Sequence, residues 1–169
     1  AAWWWPLIWT PAVTALVVWL VRRWAPGAAG SGVPQVLTAL APETPLDTRG
    51  RFVSLKLSVA KILAVSGGLL AGLSIGRQGP SVQVAAGVML HARRWLSPRS
   101  GISDRELLVA GGAAGIAAAF NTPLGGIVFA IEELSRRLME RSSALMLVAI
   151  VEAGLVAVSA FGNLSYFGR

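Results

Sequence analysis

The stretch "GRQGPSVQ", Gly76 to Gln83, interrupts a long apolar run. Glycine and proline are the residues an ordinary helix interior tolerates least. Proline in the first turn is different, because the N–H it lacks has no partner there anyway. The stretch therefore reads as a junction where one helix stops and another starts. Two further junctions follow the same plan: "GSGVP", Gly30 to Pro34, and "FNTP", Phe120 to Pro123. Each has small or polar residues, then proline, then an apolar helix. Each presents free N–H groups and the positive end of a helix dipole, roughly +0.5 charge. Gly30, Gly32, Gly76 and Gly79 let backbone approach a ligand closely, and Ser31 adds a hydroxyl donor. Such termini suit anions, and partial charges release an anion more readily than a full lysine charge does. Taken singly, a junction is more simply a helix cap without a ligand. Three in one apolar chain favour binding.

The composition sets the surroundings. Of 169 residues, 54% are hydrophobic and 14% charged, against about 25% charged in a soluble domain. The expected class is an all-α integral membrane protein. No cysteine is present, which removes disulfides and thiolate metal sites; no metal site or cofactor is expected. The net charge of +7 would suggest nucleic acid in a soluble protein. Here the arginines fall between apolar stretches and read as topology signals instead, so no nucleic-acid partner is expected.

Seven apolar segments can be drawn: Trp3–Val21, Val33–Leu40, Phe52–Ile75, Pro80–Leu96, Leu107–Phe120, Thr122–Glu133 and Ser142–Phe161. A full span takes about 20 residues. The first, third and last reach that length; the others must tilt, pair or re-enter. The tryptophans of "WWWPLIW" suit a headgroup layer. Basic clusters stand at Arg22/Arg23, Arg49/Arg51/Lys56, Arg93 to Arg105, and Arg136/Arg137/Arg141. The positive-inside bias puts all four on one face. The chain then goes in and out between each pair, and the breaks lie at membrane depth. Irregular backbone is tolerated there only inside protein or beside a cavity, and broken helices meeting near the midplane are typical of transporters. Gly68/Gly72/Gly76 and Gly111/Gly115, each spaced by four, are candidates for close helix packing. The chain starts at Ala1 and ends abruptly at Arg169, and is expected to be one partial transmembrane domain, 1–169, of a longer protein.

Together, "GSGVP", "GRQGP" and "GGAAGIAAAFNTPLGGIVFAIEE" resemble the signature segments of the CLC family of chloride channels and chloride/proton antiporters, from about Val21 to Leu134. The family pattern runs GSGIP, GREGP, then a glycine/alanine-rich helix closing on two glutamates. The resemblance implies one half of an inverted-repeat pore built of tilted, broken and re-entrant helices. It implies chloride or a similar anion as the transported ion, a bilayer setting such as a bacterial inner membrane, and a homodimer through the last two helices. Ser31 and Gly32 would hold the central anion, and Gly79, Pro80, Ser81 and Val82 the central and outer sites. Gly30, Pro34, Gly76, Arg77 and Lys61 would support them. Glu133 matches the antiporters' internal proton-transfer glutamate.

One departure carries weight. The antiporters have a gating glutamate where this chain has Gln78, which is neutral and does not titrate. The expectation is passive or proton-uncoupled anion passage, with chloride/proton antiport as the alternative. The later GxFxP motif and pore tyrosine of the family are absent from this chain.

The remaining ionisable groups sort by position. Intramembrane charges are functional candidates by default, and Lys61, well inside its segment, could raise the local potential for anions. Lys56 lies nearer an end and reads as snorkelling. Glu132 is as readily an arginine's partner as an acid, and Glu152 has no explanation in the sequence. No enzyme is expected. An intramembrane serine protease needs a base beside its serine, and the single histidine, His91, stands beside Arg93 and Arg94 at a helix end.

Overall fold

The computed structural model describes residues 4–134 and 143–162, without the side chains of residues 46, 47, 98, 133, 143 and 161. The fold is all-helical, with no strand among the described residues. Eight α-helices follow in order: α1 Trp5–Trp24, α2 Val33–Leu40, α3 Leu46–Arg49, α4 Leu55–Leu70, α5 Gln78–Ala92, α6 Asp104–Phe120, α7 Pro123–Phe129 and α8 Ser143–Phe161. A π-helical turn, Ala130–Leu134, extends α7. The helical stretches anticipated from the apolar pattern are all present, and α2 has the anticipated bounds.

Helix α6 is the centre. Its sequence, DRELLVAGGAAGIAAAF, is apolar all round after the first turn, and a helix of that kind buries itself on every side. Residues Leu107 to Ala113 are all buried, as are Gly115, Ile116, Ala117 and Ala119. Its start is fixed by a capping box: the Ser103 hydroxyl accepts from the Glu106 N–H at 3.2 Å, and Glu106 Oε2 accepts from the Ser103 N–H at 2.6 Å. Its end is fixed at Asn121, which adopts the left-handed conformation (φ 54°), while the Thr122 N–H donates to Ala117 O at 3.0 Å. That is a Schellman closure. Pro123 then opens α7, which folds back along α6.

Small residues let the backbones meet. A methyl group at Gly111 would stand 2.7 Å from Ala85 O and 2.8 Å from Ala86 Cα; one at Gly115 would stand 2.6 Å from Ser81 O. The Gly111/Gly115 pair is thus the contact face of α6 on α5, as its spacing predicts. The Gly68/Gly72/Gly76 series is not such a face. Helix α4 stops at Leu70, because Gly72 (φ 88°) closes it and the Leu73 N–H returns to Gly68 O at 3.0 Å. Gly76 lies in the connection to α5. The apolar run continued to Ile75, but the hydrogen bonds end earlier.

The contacts also set direction. Trp9 Nε1 and Thr10 Oγ1 donate to Leu70 O and Ala71 O, 3.2 and 2.7 Å away. At the opposite end Ala25 and Leu57 share a small core. Helices α1 and α4 are therefore antiparallel. Gly87 of α5 packs on Ser54 and Ser58 of α4, so α5 returns beside α4. Arg93 pairs with Asp104 at 3.4 Å across the α5–α6 connection. These pairings gather three basic clusters, at 22–23, 49–56 and 93–105, to one end of the helical layer. The fourth, at Arg136, Arg137 and Arg141, lies outside the described residues. Helix α2 begins against α5 and returns to this basic end, where Arg105 Nε and Nη2 donate to Leu40 O at 3.1 and 2.6 Å. The guanidinium thus satisfies a terminal carbonyl that the helix itself leaves open.

The outer surface is apolar. Helix α1 buries none of its residues and exposes Trp5, Leu7, Ile8, Leu16 and Trp19. It has 20 residues and a mean hydropathy of 1.4, long and apolar enough to cross a membrane. Helix α8 likewise exposes Val148, Val151, Leu155 and Val156.

Replacing Gly111 by Val pushes a branched side chain into α5, with an expected loss of roughly 1–3 kcal/mol. Gly50→Ala, where nothing lies within 4 Å, should stay within about 0.5 kcal/mol. Thermal melts in detergent separate the two; equal melting temperatures would refute the close α5–α6 contact.

Candidate functional site

Two of the three junctions meet. Gly30 and Gly32 have φ of 86° and 116°, a region closed to residues with a Cβ except under strain. They hold Ser31 on a tight loop that opens α2. A Cβ at Gly32 would collide with Gly79 O, and a Cβ at Gly79 would collide with Ser31 O. The loop of one motif and the first turn of the other are therefore in backbone contact, glycine against glycine. The third junction, Phe120 to Pro123, is elsewhere, held through Asn121 Nδ2 to Gly162 O at 3.3 Å and through Pro123 against Gly154.

Beside the contact lies a cavity of about 540 Å³. Gly30, Ser31, Lys61, Gln78, Gly79 and Pro80 line it, with Ala28, Ala64, Val65 and Ser74 to Gly76 completing the wall. Gln78 is the first residue of α5, two residues earlier than the apolar pattern implies, and Arg77 is its exposed N-cap residue. The first-turn N–H groups of Gln78 and Gly79 have no acceptor within the helix, and Pro80 has none to offer. Ser81 is already engaged: its N–H and its hydroxyl both donate to Arg77 O, at 3.0 and 2.8 Å. Val82 is fully buried in the core with Val36 and Ala86. Neither Ser81 nor Val82 lines the cavity, because the helix begins earlier and turns both away. The Gly32 N–H is taken by Gln35 Oε1 at 2.9 Å, and Ser31, which carries a hydroxyl, lines the cavity. Pro34 follows in the first turn of α2.

Lys61 is 2% exposed, and its ammonium donates to Ala28 O at 2.6 Å and Gly30 O at 2.7 Å. The sequence singled out its charge; the structure adds that it ties down the loop carrying Ser31. Gln83 was missed. It is fully buried one turn after Gly79, and its Nε2 donates to Gly27 O at 2.9 Å and Phe52 O at 2.8 Å. The available signal was its position: an amide on the same face of α5 as Gly79 and Gly87 must meet polar partners.

The acidic positions lie apart. Glu132 is exposed and borders a second cavity of about 500 Å³ between α6 and α7. Glu133 falls in the π-helical turn, and its side chain lies outside the described residues. Glu152 is exposed among apolar neighbours on α8. His91 lies in the last turn of α5 beside Arg94 and meets Trp95 edge-on, with ring centroids 6.2 Å apart. That is the helix-end surface role expected of it. Among the described residues no group of acidic or histidine side chains could hold a metal.

The arrangement defines a class: a helical membrane protein in which two helix junctions meet beside a cavity lined by Ser31, Lys61 and the first turn of α5. Its family follows from comparison. The chain matches the voltage gated chloride channel family over residues 13–169, and it belongs to that family. It is 38% identical to the H(+)/Cl(-) exchange transporter ClcA of Citrobacter koseri over 132 residues, 77% of this chain and 27% of that protein. It is 34% identical to H(+)/Cl(-) exchange transporter 5 of Oryctolagus cuniculus over 93% of this chain and 19% of that protein. The chain thus spans roughly a fifth to a quarter of these relatives' length.

Gly79→Ala should break the junction while leaving the helices intact. The added methyl must displace Ser31 O, at a cost on the order of 1–3 kcal/mol. Circular dichroism should keep its helical amplitude while the melting temperature falls; an unchanged melting temperature would contradict the backbone contact.

Proposed function

We propose that the chain forms one half of a chloride-conducting pathway in an integral membrane protein, and that the anion rests in the cavity between the Gly30–Gly32 loop and the start of α5. The observation that carries this is that Ser31, Gln78, Gly79 and Lys61 line one space, and these residues bring a hydroxyl, the first N–H groups of α5 and an ammonium to its walls. Donors and a helix terminus stabilise an anion there, and half-helix ends near a membrane midplane hold ions weakly enough to release them. Gly32, Gly76 and Pro34 shape the junction, and Arg77 caps the start of α5. A bacterial inner membrane is the proposed setting, in line with the bacterial source of the ClcA relative. The apolar outer face of α8 supports contact with lipid or with a second copy in a homodimer.

Two modes of transport are open to such a pathway. Proton-coupled exchange is favoured by the relatives, which are named H(+)/Cl(-) exchange transporters. In that mode Glu133 serves as the internal proton-transfer position, and a group other than Gln78 accepts the external proton. Uncoupled passage is favoured by one residue. Gln78 lines the cavity where the family resemblance expects a gating glutamate, and an amide neither competes with chloride as a charge nor carries a proton.

Anion flux from the full-length protein in liposomes, with pH recorded, decides between them. Stoichiometric proton movement against chloride establishes exchange; chloride flux without proton movement establishes uncoupled passage. No anion flux would overturn the proposal itself. Gln78→Glu adds a titrating group with an ordinary value near ~4.3. Its carboxylate competes with chloride once ionised, so flux should fall as pH rises through and above that range, while the Gln78 protein stays flat. A flat profile in both would contradict a position at the anion site.

A further inference from the structure

Four consecutive carbonyls, those of residues 27 to 30, are each met by a side-chain donor. Gln83 of α5 takes Gly27 O at 2.9 Å. Lys61 of α4 takes Ala28 O at 2.6 Å and Gly30 O at 2.7 Å. Gln35 of α2 takes Ala29 O. Three helices thus converge on one short segment, and two of the donors, Lys61 and Gln83, are buried to 2% and 0% exposure. The segment is a single 3-10 turn, Pro26–Ala28, followed by a loop, too short for a helical ladder to occupy these carbonyls, and unoccupied carbonyls are what a pore uses to coordinate cations. Ala28 and Gly30 both line the cavity, so their oxygens would otherwise offer acceptors beside the anion.

We infer that Lys61, Gln83 and Gln35 are positioning residues that favour anions in this cavity: they occupy the carbonyls of residues 27–30 and so withdraw those acceptors from its lining. Lys61 contributes most, because it holds two of the four oxygens, including the one immediately before Ser31, with charge-assisted bonds. Gln35 also fixes the loop from the other side, since its Oε1 accepts from the Gly32 N–H. The glutamines carry no charge, so their contribution comes through the carbonyls alone. This inference rests on the anion site proposed above.

The experiment is a chloride titration by calorimetry on the full-length protein in detergent, with Lys61→Met, Lys61→Arg, Gln35→Met and Gln83→Met alongside. The same set is reconstituted for reversal potentials in a potassium chloride gradient. Lys61→Met should weaken chloride binding by about tenfold or more and move the reversal potential toward potassium permeation. Lys61→Arg should recover most of both. Each glutamine variant should weaken chloride binding by a few-fold and shift the reversal potential the same way. If Lys61→Met fails to fold, the glutamine variants decide. Glutamine variants that match the parent in both readouts would overturn the carbonyl account and leave Lys61 as a point charge. Lys61→Met within twofold of the parent would overturn it altogether. A parent that binds no chloride refutes the anion site rather than the role given to Lys61.

Discussion

Gly32 and Gly79 touch through their backbones, and everything around the cavity depends on that approach. Neither residue has room for a methyl group. With both in place, a tight loop and a helix start come within reach of one ion. The loop turns at two positive-φ positions, which glycine adopts without steric strain, but its backbone groups still need bonds from their surroundings. Lys61, Gln83 and Gln35 supply those bonds, and α6 supplies the rest through its small residues. Because Gly115 sits directly on Ser81 O, the first turn of α5 cannot move away from the loop without separating from the core helix.

The same logic orders the whole chain. An all-round apolar helix, α6, goes to the middle. Helix α1 and one face of α8 carry large apolar side chains outward, while Met146 and Ile150 of α8 enter the core. Three clusters of basic residues share one end. The buried polar side chains hold backbone carbonyls: Lys61 two of them, Ser58 Ser54 O and Val84 O at 3.1 and 3.3 Å, and Gln83 two more through its Nε2.

Much of this is legible in the sequence because the decisive signals are local. Proline after small residues marks where α2, α5 and α7 begin, and the Ser103/Glu106 pair marks α6. Apolar length alone misleads at α4, since Leu73 to Ile75 continue the pattern after Gly72 has closed the helix. The site is legible to the extent that it lies in motifs: Ser31, Gln78, Gly79 and Pro80 meet at the cavity, as does Lys61. Ser81 and Val82 stand in the same motif but face Arg77 O and the core, because α5 starts at Gln78 and helical rotation decides which side each residue takes. Phe120 to Pro123 has the same local grammar as the other two junctions yet lies apart from them. Partnership between junctions is tertiary, and no residue within "FNTP" encodes it. Gln83 and Gln35 escaped notice for a related reason: their partners are carbonyls 56 and 6 positions away, and a carbonyl has no letter in the sequence.

The central claim is that an anion rests where the two glycine junctions meet. The most direct measurement is anomalous diffraction from crystals of the full-length protein grown with bromide in place of chloride. The account predicts a bromide peak in the cavity, within hydrogen-bond reach of the Ser31 hydroxyl and the first N–H groups of α5. Bromide bound elsewhere in the protein, with this cavity empty at saturating concentration, would contradict it.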